Sequence, residues 1–439
     1  MFRFRNALAA PSKMPSAGMF RFFRVDENGT EQRICGCVRG RNFAGVRHAA
    51  AGQAPSVSAK AKAVSSDSRG AAGKKLSISR SGYVSDEACA RCHQDKVDSY
   101  ERTAHHITSQ VANKKTIVGT FNPGANTMQT ANPNLSFWMD SKGDEFFQTA
   151  IWGTPPNERT HTQRFDLVIG SGGKGQTYLF WDDNQLFQLP VGYSTVLGQW
   201  INSPGYKDGT ASFDRGIIPR CLECHATYFE SQFSDPDANF YDTKNFVLGI
   251  SCERCHGPGR RHVESYTSKS TAHPAGRIVN PAKLAPARQE DVCAQCHGGQ
   301  GERFLQPAFT YVPGQPLDKY IDLGPIDSAK DADVHGKQGK LLIKSQCYQM
   351  SKNMTCSTCH DVHQREPDLA AMSQHCLSCH KVEASATHAK VGEGISKNCI
   401  DCHMPKLESK IVYLDVNGKR VRPRFRTHWI RIYSESERR

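Results

Sequence analysis

Seven times along the chain a Cys-x-x-Cys pair is followed at once by histidine, and this pattern constrains the fold more than any other feature. The pairs are Cys89/Cys92, Cys221/Cys224, Cys252/Cys255, Cys293/Cys296, Cys356/Cys359, Cys376/Cys379 and Cys399/Cys402, and the histidines are His93, His225, His256, His297, His360, His380 and His403. With 18 histidines in 439 residues, seven such hits by chance have a probability on the order of 10⁻¹⁰, against a motif whose chemistry is covalent haem attachment. Two thiols three positions apart reach two vinyl groups on one porphyrin edge, while the adjacent imidazole turns under the iron. Each segment thus fixes ring and axial ligand together, and the expected cofactor is haem c, seven per chain. Zinc knuckles usually come in pairs or with a spaced His pair and do not demand His after every second Cys. A disulfide scaffold leaves the seven histidines unexplained.

The formal charge of +13 invites a nucleic-acid or membrane reading. Position removes it. Residues 1–75 hold 14 Lys/Arg and 4 Asp/Glu, which leaves +3 for residues 76–439. Seven haems bring fourteen propionates, so the mature protein is acidic, and neither nucleic acid nor an anionic surface is an expected partner. No run of 18 apolar residues occurs, so no integral membrane span is expected. The apolar share is low for a globular domain, which casts the porphyrins as much of the core.

Haem attachment outside the cytoplasmic membrane implies export to the periplasm or another extracytoplasmic space. Residues 1–78 read as a targeting or disordered extension, rich in Arg, Ser, Ala and Gly and without a 7-to-15-residue apolar stretch. A start codon set too far upstream gives the same appearance. Cys35 and Cys37 fall here and are incidental in this reading. The heptahaem domain is expected over 79–439.

The first cysteines of successive motifs lie 132, 31, 41, 63, 20 and 23 residues apart. The short intervals cannot build a separating core, so their haems should be close neighbours. The expected fold is mainly α with little regular structure, organised around a multihaem stack, with a small β-rich insertion over 110–215. A helix is expected from Ser85 to Gln110, N-capped by Ser85 with Asp86 and Glu87 in its first turn. Within the insertion, Phe165 to Ile169 and Gln176 to Phe180 read as strands, and Asp182 to Asn184 as a turn into Leu186 to Val191. Gly170-Ser-Gly172-Gly-Lys-Gly175 fits a dinucleotide fingerprint formally, but a Tyr-Leu-Phe-Trp strand follows where a helix is required, so it reads as a glycine turn.

Ten histidines outside the motifs and the extension remain for seven irons. A distal ligand must reach the opposite ring face. His363 follows His360 by three residues, a span of at most about 10.5 Å, too short to round the porphyrin; if a ligand, it serves a neighbouring haem. His262, six residues after His256, does likewise. Met404 directly follows His403 and cannot cross either, so bis-His is the expected pattern.

Several phrases resemble the c-552/c-554 class of multihaem cytochromes, and more distantly the hydroxylamine oxidoreductases and pentahaem nitrite reductases. They are Ser85-Asp-Glu-Ala-Cys89-Ala-Arg-Cys92-His93 with Tyr100 and His105 after it, Ser251-Cys252-Glu-Arg-Cys255-His256-Gly-Pro-Gly with His262, Thr355-Cys356-Ser-Thr-Cys359-His360-Asp-Val-His363, and Cys399-Ile-Asp-Cys402-His403-Met-Pro. The resemblance implies His105, His262 and His363 as distal ligands. His161, His335, His388 and His428 follow as the next choices, with His106, His273 and His375 as substitutes. Cys347 has no role beyond that of a small buried residue. The nitrite reductases' Cys-x-x-Cys-Lys motif is missing, and hydroxylamine oxidoreductases carry eight haems, so neither activity transfers. Two functions remain. One is an electron carrier between redox protein partners. The other is an oxidoreductase acting on a small nitrogen or sulfur compound at one five-coordinate haem, with Arg220, Arg260 or Arg261 near an anion. The sequence does not set the oligomeric state.

Overall fold

The computed structural model describes residues 82–268, 278–298, 303–324, 337–382, 388, 392–410, 413–416 and 419–438. The expected extension at 1–78, with Cys35 and Cys37, lies outside the described residues, as do His273 and His335.

Helix and strand occupy 29% and 26% of the interpretable structure, so the expectation of a mainly α protein with little regular structure is corrected. The strands are concentrated in the long interval between the first two motifs, and short hairpins recur later. The first helix, α1 (Asp86–Tyr100), starts with Ser85 extended and Asp86 and Glu87 in its first turn. It stops ten residues short of the expected end. Thr103 closes its last turn, its N–H and Oγ1 both donating to the Tyr100 carbonyl at 2.8 and 2.7 Å. The chain then turns so that the Ile250 N–H reaches the His105 carbonyl at 3.0 Å, and enters a sheet at β1 (Ser109–Val111).

Two antiparallel sheets follow. One orders β2 (Thr127–Gln129), β3 (Leu135–Lys142), β4 (Glu145–Trp152) and β5 (Arg159–Arg164) side by side. The other runs β1, β6 (Leu167–Ile169), β7 (Gly175–Asp182), β9 (Val191–Ser194), β10 (Gln199–Asn202), with β8 (Gln185–Gln188) also on β7. β3 shows the cause in its sequence: Leu135, Phe137 and Met139 are buried while Trp138 is exposed, the period-2 alternation of a half-buried strand. Gly143 at φ +62° supplies the turn into β4. The Gly170–Gly175 loop joins antiparallel β6 and β7. Gly170 has φ +106°, and a Cβ there would stand 2.7 Å from the Gly175 carbonyl oxygen.

The sheets share an apolar core in which Phe137, Met139 and Phe146 meet Tyr178, Phe180 and Trp200. Fully buried Gln148 bridges them, donating to the Val191 carbonyl at 2.9 Å and accepting from its N–H at 3.0 Å. A second cluster sets Leu167, Leu179 and Leu186 against Leu222 of α2 (Pro219–His225) and against Phe229 and Tyr241 of the hairpin β11 (Ala226–Ser231) and β12 (Tyr241–Leu248). The sheet unit thereby fixes the second motif.

Beyond residue 337 the character changes. Short helices, among them α6 (Gln338–Ile343), α7 (Gln346–Met350) and α8 (Leu369–Leu377), and two small two-stranded antiparallel sheets recur through the described residues there. Leu341, Ile400, Val416 and Tyr433 are buried, but none belongs to an apolar cluster among the described residues. No helix of the described residues is long and apolar enough to cross a membrane.

Candidate haem centres

Each motif lies on or against a helical turn, because such a turn is what brings the two thiols and the imidazole to one side. The first motif lies inside α1, the second ends α2, the third forms α3 (Cys252–His256), the fourth ends α5 (Pro286–His297), and the seventh forms a helix over Cys399–His403. The fifth opens a single 3-10 turn, Cys356–Thr358, and the sixth begins in the last turn of α8 and runs out past its end.

The fourteen motif thiols are not equally enclosed by protein. Cys92, Cys221, Cys379 and Cys402 are exposed, whereas the other ten are half-buried. The sixth motif is as open as the first, whose Cys92 and His93 are likewise exposed. Its first cysteine, Cys376, is half-buried, but the chain leaves α8 there, so Cys379 and His380 both project to the surface. The Cys379 N–H still donates to the Cys376 carbonyl at 3.2 Å and the His380 N–H to the same carbonyl at 2.9 Å. That turn holds the two cysteines and the histidine in the compact form the other motifs share. The Cys379 sulfur has the neighbouring Ser378 hydroxyl at 3.8 Å. Sequence spacing gives no sign of this difference; the structure gives Cys379 the same local turn but, like Cys92, Cys221 and Cys402, less protein cover than the ten half-buried cysteines.

Four motif histidines face a histidine from elsewhere. Ring centres are 6.0 Å apart for His105 and His297, 6.0 Å for His256 and His363, 6.2 Å for His360 and His428, and 6.0 Å for His388 and His403. Two imidazoles binding one first-row metal from opposite sides, each nitrogen at about 2 Å, hold their ring centres roughly 6 Å apart. Rings packed on each other sit closer, as Phe165 and Tyr178 do at 4.4 Å. The donor set and its spacing therefore fit an iron porphyrin held between paired imidazoles.

Protonation suits ligation. Burial, with His297 adding to it, holds His105 down to about 4, and burial followed by His360 does the same to His428. Burial also lowers His256 and His297. Neutral imidazoles offer a lone pair to a metal. The second nitrogen is held in several rings, an orientation that frees Nε2 for iron. The Val279 carbonyl faces Nδ1 of His256 at 2.8 Å, the Arg431 carbonyl that of His403 at 3.1 Å, and the Val382 carbonyl that of His388 at 3.3 Å. Nδ1 of His360 instead faces the Glu366 carboxylate at 3.1 Å, which raises its pKa. His225 has Thr108 Oγ1 at 3.1 Å from Nδ1. Glu366 and Thr108 were not singled out in the sequence, where backbone carbonyls and lone polar residues leave no signal.

The other candidates are placed as follows. His262, on α4 (Arg260–Thr267), feels His93, which adds to burial in lowering its pKa. His363 pairs with His256 of the third motif rather than with its sequence neighbour His360. His161 is on β5, an edge strand, opposite Ala150, with Phe213 at 4.4 Å. His106 lies 3.4 Å from the Asp86 carboxylate, and His375 is exposed on α8.

The motifs also meet one another. The Cys224 and Cys296 thiols are in hydrogen-bonding contact, and Arg220 donates to the Gln295 carbonyl at 2.9 Å. Arg254 of the third motif pairs with Glu223 of the second at 3.4 Å, both almost wholly buried. Glu223 also accepts from the Phe309 N–H at 2.9 Å. Arg260 donates to the Tyr83 carbonyl at 3.1 Å. Arg220 and Arg260 are thus committed to the scaffold. Burial and then Cys293 push Cys255 up to about 11, and burial and then Cys399, Cys359 and Cys347 push Cys376 up to about 11. Cys347 therefore sits where the fifth and sixth motifs approach.

Residues 205–257, which contain the second and third motifs, match the family model described as cytochrome c554 and c-prime. The chain is 25% identical over 202 residues to multiheme cytochrome MtrA of Shewanella baltica (strain OS185), covering 44% of this chain and 54% of the relative. It is 22% identical over 262 residues to dissimilatory sulfite reductase MccA of Wolinella succinogenes, covering 49% of this chain and 33% of the relative. The chain thus spans about half the length of the first relative and a third of the second. The crystal structure of outer cell wall cytochrome OcwA aligns over 80% of each chain with a TM-score of 0.48 and 15% identity.

Proposed function

From the premise that this chain is a multihaem c-type cytochrome, with haem c held covalently, we propose that it is an extracytoplasmic electron relay of seven haems, most of them bis-His. One observation carries this reading: four motif histidines each stand 6.0 or 6.2 Å from a histidine of another segment. Iron held between two imidazoles changes oxidation state with both axial positions filled, which suits electron transfer over substrate binding. The residues supply the rest. His105 reaches back from the end of α1 to the fourth motif, and His363 from the fifth motif to the third, so ligand pairs cross between segments. His428 would complete the fifth site and His388 the seventh, while His262 is the candidate for the first. His161 stands outside the paired set. Propionates on a chain that carries only +3 beyond residue 75 give an acidic surface, complementary to basic patches on redox protein partners.

The printed name of one relative, a sulfite reductase, supports a second reading in which one iron is open to a small oxyanion. The test is the holoprotein, reduced and then mixed with a soluble one-electron acceptor or with sulfite, nitrite or hydroxylamine. A relay is reoxidised rapidly by the acceptor and no faster by the anions than free haem is. Turnover with an anion well above free haem would overturn the relay in favour of an enzyme.

A further inference from the structure

The same hydrogen bond occurs three times between motifs. The Cys252 N–H donates to the Asp86 carboxylate at 3.2 Å, the Cys356 N–H to the Glu290 carboxylate at 2.8 Å, and the Cys399 N–H to the Ser373 hydroxyl at 3.1 Å. In every case the donor is the first cysteine of one motif, and the acceptor stands three residues before the first cysteine of another: Asp86 before Cys89, Glu290 before Cys293, Ser373 before Cys376.

The two partners also have the same local form each time. The acceptor's motif lies in or directly after a longer helix, of 15, 12 or 9 residues. The donor's motif is a short turn of 5, 3 or 5 residues that starts at its first cysteine. An N–H at the first position of a helix has no partner within it, so the donor is waiting for an acceptor. Positions i and i+3 share a helix face, so the acceptor and the first cysteine of the longer helix face the short motif together. The thiols meet accordingly: Cys89 with Cys252, Cys293 with Cys356, and Cys376 with Cys399 are each in hydrogen-bonding contact. Asp86, Cys89 and Cys252 place ligand atoms within 4.8 Å of one another. In the mature protein those sulfurs are thioethers, so this grouping is the meeting of two haem edges and not a cation site.

We infer that Asp86, Glu290 and Ser373 are positioning residues that clamp haem-binding motifs in pairs, dividing the chain into three like two-haem modules: motifs one with three, four with five, and six with seven. This inference rests on the relay reading above. Sequence separation does not set the pairing, since the paired first cysteines are 163, 63 and 23 residues apart. The modules lie within electrostatic reach of one another, Cys293 bearing on Cys255 and Cys359 on Cys376. The second motif stands outside this scheme. Its Cys221 N–H is satisfied locally by the Ile218 carbonyl at 3.0 Å, and it meets the fourth motif through Cys224 and Cys296 and the third through the Arg254–Glu223 ion pair. The order of contact is therefore one, three, four, five, six, seven, with two set beside three and four.

Each clamp sits beside the edges of two macrocycles. A carboxylate there favours the ferric state of both, an effect the neutral Ser373 does not supply. The test is spectroelectrochemical titration and low-temperature EPR of the mature full chain carrying Glu290→Gln, Glu290→Ala or Ser373→Ala. Glu290→Gln keeps the acceptor and removes the charge; two haems should shift to higher potential with their EPR signals unmoved. Glu290→Ala loses both, so the same two potentials rise and the EPR signals of those two haems change, with five haems untouched. Ser373→Ala, the mildest variant, should alter the EPR of one haem pair only, and it stands in if Glu290→Ala does not mature. Wild-type behaviour in all variants, or an equal change at every haem, would overturn the clamp. Covalent haem per chain, from the intact mass of the unmodified protein, tests the seven-haem relay separately.

Discussion

The sheet region over residues 109–202 and the region from residue 337 onward solve the problem of a core in opposite ways. The first buries Phe137, Met139, Tyr178 and Trp200 between two sheets and needs no cofactor to do so. The second buries four large hydrophobic residues singly among its described residues yet contains three haem motifs in 48 residues. Burial of apolar surface is the main favourable term in folding, so in the proposed relay the apolar faces of the haems would supply what holds the second region together. The exposure of Cys379 and His380 belongs to the same contrast, since protein alone covers little of that stretch. In this proposal one chain joins a β unit with its own apolar core to a stretch whose core would be its cofactor.

That contrast can be broken most directly by withholding haem. In a host without haem maturation, hydrogen exchange should stay slow in β3, β4 and β7 and become fast throughout 369–403. Equal protection of the two regions in the haem-free chain would end the comparison. The converse variant is Phe137→Ala, at a site only 1% exposed. It should destabilise the sheet region by ~3–5 kcal/mol, seen as a lower denaturant midpoint for β-sheet circular dichroism, while the haem absorption spectrum holds. A haem spectrum that collapses with the sheets would show the two regions to be one cooperative unit.

A smaller effect is expected at one iron. His428→Ala removes a single ring opposite His360, so one haem of the set should turn high-spin in the EPR of the oxidised protein, with the sheet region's stability unchanged. Loss of several low-spin signals would show that His428 supports more than its own site. The smallest effect concerns pH. Burial, against hydrogen bonds from the Gly259 and Val84 N–H groups, raises Glu253 from 4.5 to about 7. The folded state therefore holds this proton more tightly than the unfolded one, so its contribution to stability is full below about 4.5 and is lost as pH rises through about 7. Glu253→Gln should flatten that slope in thermal unfolding of the holoprotein across this range, and an unchanged slope would assign it to other groups.

The motifs were legible because their chemistry is contained in five residues each. What five residues do not carry is how much protein surrounds them, which is why Cys379 reads like any other attachment residue until the fold is seen. The strands around 165–191 could be read from β-branched and aromatic runs bounded by turns, and β6 to β9 lie there. The β3–β4 hairpin was equally legible in its alternation, yet reading the chain as haem-driven hid it, and with it the true share of strand. α1 was drawn ten residues too long because nothing in 101–110 breaks a helix by composition; its end comes from Thr103 and from a contact with Ile250, a residue far along the chain. The histidine pairs lie beyond local reading altogether. His105 and His297 are 192 residues apart in sequence, and only tertiary structure sets them 6.0 Å apart. Chain reach could say which haem His363 is too close to serve, but not which one it faces.

The proposed relay stands or falls on seven covalent haems, mostly bis-His, in this chain. The decisive measurement is low-temperature EPR of the oxidised protein, with intact mass recorded on the same sample. The account predicts a mass increase of seven haems, with low-spin signals dominating the spectrum. Fewer than seven haems, or a spectrum dominated by high-spin iron, would contradict it.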